Sequence, residues 1–212
     1  NYIMENFSVL MSVYAREQSA YLKEALRSVF EQTVPPSEVV LVKDGPLTTE
    51  LEAVITSFAE RYKSLKIVAL AKNMGLGNAL NVGLSACTYR LVARMDSDDL
   101  SLPNRFETQL KAFEKDLEVS IVGGWISEFD NDPQSIISYR KLPQTDRELR
   151  RMCQLKNPLN HGSIKTKTDN LGRPSQQFIG KSATVAVNPE NGTITTTWCT
   201  GSRTKRKYLK KG

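Results

Sequence analysis

Tyr89-Arg90-Leu91-Val92-Ala93-Arg94-Met95 runs directly into Asp96-Ser97-Asp98-Asp99, so a largely apolar segment ends in three carboxylates within four positions. Seven residues of this kind are the length of a buried strand and too few for a helix. Upstream, the same unit recurs. Phe7 to Tyr14 is a continuous apolar run rich in β-branched residues, the pattern of a strand covered on both faces. From Tyr21 to Phe30, Leu22, Ala25, Leu26, Val29 and Phe30 recur at helical spacing, and Pro35-Pro36 stops the pattern. Glu38–Val42 gives a second strand, Leu51–Tyr62 a second amphipathic helix, and Lys66–Leu70 a third strand. A helix opening at Asn73-Met74-Gly75-Leu76-Gly77-Asn78 and running to about Ala86 then precedes the strand Tyr89–Met95.

The order β-α-β-α-β-α-β predicts an α/β fold, a doubly wound, mostly parallel sheet flanked by helices, with ligands bound beyond the carboxyl ends of the strands. Asp44 and the acidic cluster both lie at such ends. Downstream, Pro103–Glu114 reads as a helix and Val119–Trp125 as a strand. An irregular link then leads to a short helix over Asp146–Leu155. Beyond His161 the character changes. Gln177–Val187 and Thr193–Trp198 alternate and are rich in Val, Ile and Thr, with Asn188-Pro189-Glu190-Asn191-Gly192 between them, which predicts a small C-terminal β-hairpin. Arg203-Thr204-Lys205-Arg206-Lys207 with Lys210-Lys211 is a basic, frayed tail.

Charge divides the chain at the same place. Residues 1–161 hold 19 Lys/Arg against 21 Asp/Glu, and residues 162–212 hold 10 against 2. We therefore read 1–161 as one domain and 162–212 as a separate basic segment, whose charge suits a solvated surface or a polyanionic partner such as RNA or an anionic membrane face. No stretch approaches the roughly 20 apolar residues of a bilayer span, and no basic-then-apolar export signal opens the chain. The expected location is cytoplasmic. Cys87, Cys153 and Cys199 are odd in number, far apart and outside any CxxC or Cys/His spacing, so they are read as unpaired thiols, with neither a disulfide framework nor a zinc site.

Three adjacent carboxylates repel one another unless a cation or a donor compensates them. Mg²⁺ and Mn²⁺ take oxygen ligands and commonly bridge one or two carboxylates to substrate phosphates. The alternative is a solvated loop in which Asp99 caps a following helix. Other residues of interest also have ordinary readings. Asp44-Gly45 is a common turn, Gly75 and Gly77 let the chain bend into a helix, and Arg94 is placed to pair with the cluster.

Ser8 to Tyr14, Val42-Lys43-Asp44-Gly45, Asn73-Met74-Gly75-Leu76-Gly77-Asn78-Ala79-Leu80-Asn81-Val82-Gly83 and Ala93 to Asp99 resemble, in order, bacterial family 2 inverting glycosyltransferases of the GT-A fold. The resemblance continues through Pro103-Asn104-Arg105-Phe106, Val122-Gly123-Gly124 and Asn157-Pro158-Leu159-Asn160-His161, about three quarters of the chain. It implies an enzyme that binds a nucleotide-diphosphate sugar, a UDP-sugar foremost, through Mn²⁺ or Mg²⁺. The sugar would pass to a saccharide or lipid-linked acceptor in polysaccharide biosynthesis, with peripheral association at the inner face of the membrane. Tyr14 and Glu17 would border the nucleobase, and Asp44 would accept a hydrogen bond from its ring N–H. Asn73 and Asn78 would line the nucleoside side, and Arg94 would lie near the diphosphate. Asp96 would face ribose and metal, Asp98 would be the principal metal ligand, and Asp99 is a weaker third candidate. His161, the only histidine, would stand toward the acceptor, or serve as a structural imidazole.

The pattern then departs from the family. An inverting transfer needs a general base for the acceptor hydroxyl, in this family an Asp within a Glu-Asp-Tyr-Asp-like segment. After His161 the only acids are Asp169 and Glu190, neither with those neighbours, so no base is nominated and transfer is expected to be impaired. Residues 162–212 read as a replaced or truncated acceptor half. Thr166 to Pro174 and Thr200 to Thr204 faintly resemble the C-terminal ends of polymorphic-toxin RNases. On that alternative the basic segment binds or cleaves RNA, with His161 as acid or base. A third reading is a domain that holds nucleotide sugar without turnover.

Overall fold

The computed structural model describes residues 5–116, 119, 121–130, 132–153, 160, 165–167, 183–185 and 196–199. Strands β1 (Phe7–Val13), β2 (Glu38–Lys43), β3 (Leu65–Ala69) and β4 (Leu91–Arg94) alternate with helices α1 (Ser19–Phe30), α2 (Thr49–Arg61) and α3 (Leu76–Ala86). Strand β5 (Asp99–Ser101), helix α4 (Arg105–Lys115), strands β6 (Ile121–Gly123), β7 (Ile126–Phe129) and β8 (Ile136–Arg140), and helix α5 (Asp146–Cys153) follow. Strands β9 (Lys165–Lys167), β10 (Ala183–Val185) and β11 (Thr196–Cys199) complete the described elements.

Seven strands form one sheet in the order β10-β6-β9-β4-β1-β2-β3, and β5-β11-β7-β8 form a second. In the larger sheet β1 pairs in parallel with β2 and β4, and β2 in parallel with β3. Strand β9 is antiparallel to both neighbours, so the sheet is mostly parallel, as expected.

The period-2 alternation of β1 sorts its side chains between two cores. Phe7, Val9, Met11 and Val13 face Leu22, Leu26 and Val29 of α1, Leu51 and Ile55 of α2, and Phe106, Leu110 and Phe113 of α4. Leu10 faces the other way and joins Val40, Val42 and Val92 against Ala79 and Leu84 of α3. Helix α3 lies very close to the sheet. A Cβ on Gly83 would stand 2.5 Å from both Leu10 and Val42 side-chain carbons, a separation real side chains do not tolerate. Helix α2 starts where Thr48 accepts the Leu51 N–H, with Glu50 and Glu52 complementing the dipole of its first turn.

Three regions differ from expectation. The strand expected over Val119–Trp125 is the shorter β6 (Ile121–Gly123), and after a break at Gly124-Trp125 an unexpected strand, β7, begins in the other sheet. The expected irregular link to α5 is instead a β-hairpin. Strand β8 pairs antiparallel with β7, and Ser138 Oγ donates to Glu128 Oε2 at 2.7 Å across the pair. Asp99 does not cap a helix. It opens β5, while α4 begins at Arg105 after Asn104, whose side chain makes no capping bond. Of the C-terminal segment, β10 lies parallel to β6, and β11 lies between β5 and β7. The expected turn at Asn188–Gly192 lies outside the described residues.

Candidate functional site

Because β1, β2 and β4 are parallel and in register, their carboxyl ends open on one edge of the sheet. Val13 pairs with Lys43, and Leu10 with Arg94. Two backbone bonds extend the alignment past the strands: Asp44 N–H to Val13 O at 2.8 Å and Met95 N–H to Leu10 O at 3.0 Å. Tyr14, Asp44 and Asp96 are thereby brought to the same edge, which neither strand alone would specify.

At the end of β2, the buried Asp44 carboxylate accepts the Met74 N–H at 2.7 Å and the Gly75 N–H at 3.1 Å, one on each oxygen. Asn73 Nδ2 donates to the Asp44 carbonyl at 3.3 Å. Asp44 thus holds the segment entering α3 against the strand end, an acid at a helix N-terminus where the dipole favours it. Gly45 permits the approach. Its φ is +88°, and a Cβ there would lie 2.6 Å from Asn73 N. Gly75, at φ +85°, turns the chain into α3 with open space beside it. Asn78 turns its Nδ2 back to Met74 O at 2.8 Å.

The second group gathers at the end of β4. Arg94 donates from a terminal guanidinium nitrogen to Asp96 Oδ1 at 2.8 Å, so one cation already meets the cluster. Ser97 Oγ donates to Glu17 Oε2 at 2.7 Å across 80 residues of sequence, which seats the β1–α1 loop on the acidic loop. Asp98 keeps one exposed side, yet the protein around it excludes water and Glu17 and Asp96 add like charge. Its carboxyl is pushed up to about 6. Asp99 is buried. Loss of hydration, then the Asp96 and Asp98 charges, hold it well above the usual carboxylate range despite Arg105 and Arg94 nearby.

Beneath the cluster, the fully buried Arg105 donates to Arg94 O at 2.7 Å and to Met95 Sδ at 3.1 Å, bracing the backbone that delivers Asp96. Burial lowers its guanidinium to about 10, against the pull of Asp99 and Asp96. Sequence reasoning gave Arg105 and Ser97 no role. A signal was present for Arg105, because a cation in the first turn of a helix opposes the dipole and implies a tertiary acid.

Asn160 is buried and donates from Nδ2 to Gly124 O at 2.9 Å, tying the Asn-His element to the break between the two sheets. His161 lies outside the described residues. Cys87 is a free thiol whose burial, with Glu38 nearby, pushes it up to about 12, which makes it inert, as an unpaired structural thiol should be.

The structure therefore forms two sets from the expected site residues: Glu17, Arg94, Asp96 and Asp98 in one, Asp44 and Asn73 in the other. Among the described residues no group of three or more His, Cys, Asp or Glu side chains is placed to hold a metal ion by itself. A hard divalent ion can also be held by only one or two carboxylates together with substrate phosphates. The neighbouring carboxylates of Asp96 and Asp98 are oxygen donors that could hold such an ion.

Comparison with known proteins agrees with this architecture. Glycosyl transferase family 2 matches residues 8–170. The amylovoran biosynthesis glycosyltransferase AmsE of Erwinia amylovora is 41% identical over 165 residues, 78% of this chain and 61% of AmsE. An Escherichia coli UDP-Gal:alpha-D-GlcNAc-diphosphoundecaprenol beta-1,3-galactosyltransferase is 41% identical over 161 residues, 76% of this chain and 58% of the relative. The chain thus spans about three fifths of the length of these relatives. Among solved structures, the mannosyltransferase PcManGT from Pyrobaculum calidifontis, in complex with GDP-Man and Mn2+, superimposes with a TM-score of 0.61 at 18% identity. The match covers 89% of this chain and 59% of that one. TarS of S. aureus superimposes with a TM-score of 0.61 at 20% identity, over 92% of this chain and 36% of that one. Four sequence blocks in order, a parallel sheet that gathers them at one edge and the matched span together establish that the chain belongs to glycosyl transferase family 2.

Proposed function

We propose that this chain binds a nucleotide-diphosphate sugar with the help of Mn²⁺ or Mg²⁺, as the donor half of a glycosyl transfer to a saccharide or lipid-linked acceptor. The observation that carries the reading is the Glu17–Asp96–Asp98 cluster at the carboxyl ends of β1 and β4, where Asp98 is pushed up to about 6. Such a site is short of positive charge, and a divalent ion with a bound diphosphate supplies it. Asp98 and Asp96 would hold the ion, whose chemistry is to neutralise charge on the departing diphosphate. A relative named for UDP-Gal supports a nucleotide-sugar donor, and a neighbour in fold was solved with GDP-Man and Mn2+.

The chain's own residues then have distinct parts. Tyr14 and Glu17 border the base, while Asp44, through its oxygens' remaining lone pairs, accepts its ring N–H. Asn73 and Asn78 lie on the nucleoside side, and Arg94 lies beside the diphosphate. His161 is assigned to the acceptor side. In an inverting transfer an acceptor oxygen bonds to the anomeric carbon as its bond to the diphosphate breaks, and the hydroxyl proton passes to a base. No residue of this chain is assigned that proton, so donor binding is expected to exceed transfer. Titrating the intact protein with UDP and GDP, with and without Mn²⁺, tests the reading. Metal-dependent binding of one nucleotide supports it, and equal indifference to both with metal present would overturn it. Full transfer to an added acceptor would overturn the assignment of no base.

A further inference from the structure

We propose that the Ser97 hydroxyl is a positioning group that makes nucleoside binding and cation binding cooperative, by holding Glu17, and with it the turn that carries Tyr14, on the acidic loop. This rests on the nucleotide and metal reading above and gives a part to a residue which that reading leaves idle. Residues 14–18 leave β1 beside residues 95–99, which leave β4, because the two strands are parallel neighbours. Tyr14, Ala15, Arg16 and Gln18 are exposed. Within the turn the Glu17 N–H donates to Tyr14 O at 3.0 Å, and Glu17 Oε1 accepts the N–H of Gln18, the residue before α1, at 2.9 Å. Both bonds are local. The half-buried Glu17 turns Oε2 inward to accept from the buried Ser97 at 2.7 Å. Among the described residues no other hydrogen bond joins residues 14–18 to residues 95–99.

The two loops answer to different ligands under the proposed function, the turn to the base and the acidic loop to the ion. Asp96 and Glu17 both press like charge on Asp98, and Arg94 is already engaged by Asp96 Oδ1 at 2.8 Å. Like charges this close resist a single fixed arrangement of the loop, and a divalent ion held by them imposes one. Ser97 stands between the two aspartates in sequence, so fixing them fixes the direction of its hydroxyl. A hydroxyl aimed at a carboxylate is a charge-assisted donor whose strength falls steeply when alignment is lost. Glu17 follows the hydroxyl, and Tyr14 follows Glu17 through the bond that closes the turn. A nucleoside then meets a turn already ordered, and its apparent affinity rises with the fraction of chains so arranged. Linkage requires the reverse as well: a nucleoside on the turn tightens the ion by the same factor. Direct attraction between the ion and the Glu17 charge would also couple the two, but it would not need Ser97.

The test uses the full chain with uridine and guanosine, which carry no phosphate, so that no diphosphate bridges turn and ion directly. Calorimetric titration with and without Mn²⁺ reads the nucleoside side, and electron paramagnetic resonance of free Mn²⁺ reads the ion side. In the unaltered protein Mn²⁺ is expected to tighten the nucleoside that binds about fivefold or more, and that nucleoside to tighten Mn²⁺ equally. Ser97→Ala, which removes the donor, should bring both ratios to within about twofold of one. Glu17→Ala, which removes the acceptor, should do the same, whereas Glu17→Gln keeps an acceptor oxygen without the charge and should retain a ratio above about threefold. Circular dichroism is expected to be unchanged in all three variants. A ratio that survives Ser97→Ala would overturn the inference, whether because the nucleoside is weakened equally with and without Mn²⁺ or because Glu17→Gln alone abolishes the coupling. So would an unaltered chain whose nucleoside affinity ignores Mn²⁺, or one that binds UDP or GDP with Mn²⁺ but neither nucleoside; both leave the proposed function standing. Binding of no nucleoside and of no nucleotide would defeat that function, and the inference with it.

Discussion

Asp98→Asn should make the metal-free protein more stable and its response to metal weaker, two effects of opposite sign from one atom change. The Asp98 carboxyl is pushed from 3.8 to about 6 by loss of hydration and by Glu17 and Asp96. Each unit is 1.36 kcal/mol, so the shift sets an upper bound of about 3 kcal/mol. The side chain keeps an exposed face, where solvent screens the repulsion, and about 1 kcal/mol is the expected net cost of the charge. The sign follows from linkage. The folded value lies above the unfolded one, so the folded state binds more protons between them, and stability falls as pH rises from about 4 through about 6. Asparagine removes that loss. In urea unfolding with a chelator present, wild type and Asp98→Asn should coincide near pH 4 and separate by about 1 kcal/mol at pH 8. With Mn²⁺ and UDP at 100 times their dissociation constant, the wild type should gain about 2.7 kcal/mol and the variant much less. Equal stabilisation of both proteins by Mn²⁺ and UDP would refute the assignment of Asp98 as a ligand. A variant less stable at pH 8 without metal would refute the electrostatic reasoning itself.

Three further outcomes are expected. Gly45→Ala places a Cβ 2.6 Å from Asn73 N at a φ of +88°, and should cost about 1–3 kcal/mol in denaturant unfolding and weaken nucleotide binding through the displaced loop; a neutral result would mean the loop is not held there. Asp44→Ala should weaken UDP binding by about 1–3 kcal/mol even without metal, read by calorimetry, whereas Asp98→Asn should spare the metal-free affinity. Lys165 is fully buried, its Nζ 3.4 Å from the Phe7 ring centroid and without a hydrogen-bond partner among the described residues. Burial, then the Arg105 charge, pushes it well below the usual lysine range. The unfolded chain therefore binds the extra proton, and wild-type stability should rise with pH up to about 10, a slope that Lys165→Met removes while stabilising the protein by about 1–4 kcal/mol near neutrality. An unchanged slope in the variant would place that titration elsewhere.

What the sequence could settle was whatever repeats locally. Phe7–Val13, Glu38–Lys43 and the helix face Leu22, Ala25, Leu26, Val29 and Phe30 carry their period in consecutive residues, so the alternating order and the parallel sheet were legible without coordinates. The Asp96–Asp99 cluster was equally legible, since its charges are adjacent in the chain. The β7–β8 hairpin was not. Its strands are four and five residues long, Gly124-Trp125 hides the break before them, and β7 is buried at nearly every position while β8 is exposed at most, so neither shows the alternation on which strand recognition depends.

Only the tertiary structure determined which groups share a charge environment. Ser97 meets Glu17 across 80 residues, Asp44 spends two lone pairs on the backbone entering α3, and Asp99 begins a strand rather than capping a helix. Arg105 and Lys165, far apart in sequence, lie buried near each other, at 5.2 Å and 5.3 Å from the Phe106 ring centroid. Spacing within a segment is local and appears in sequence. Electrostatic energy depends on distances and hydration between segments, and these are set when the sheet brings its strand ends to one edge.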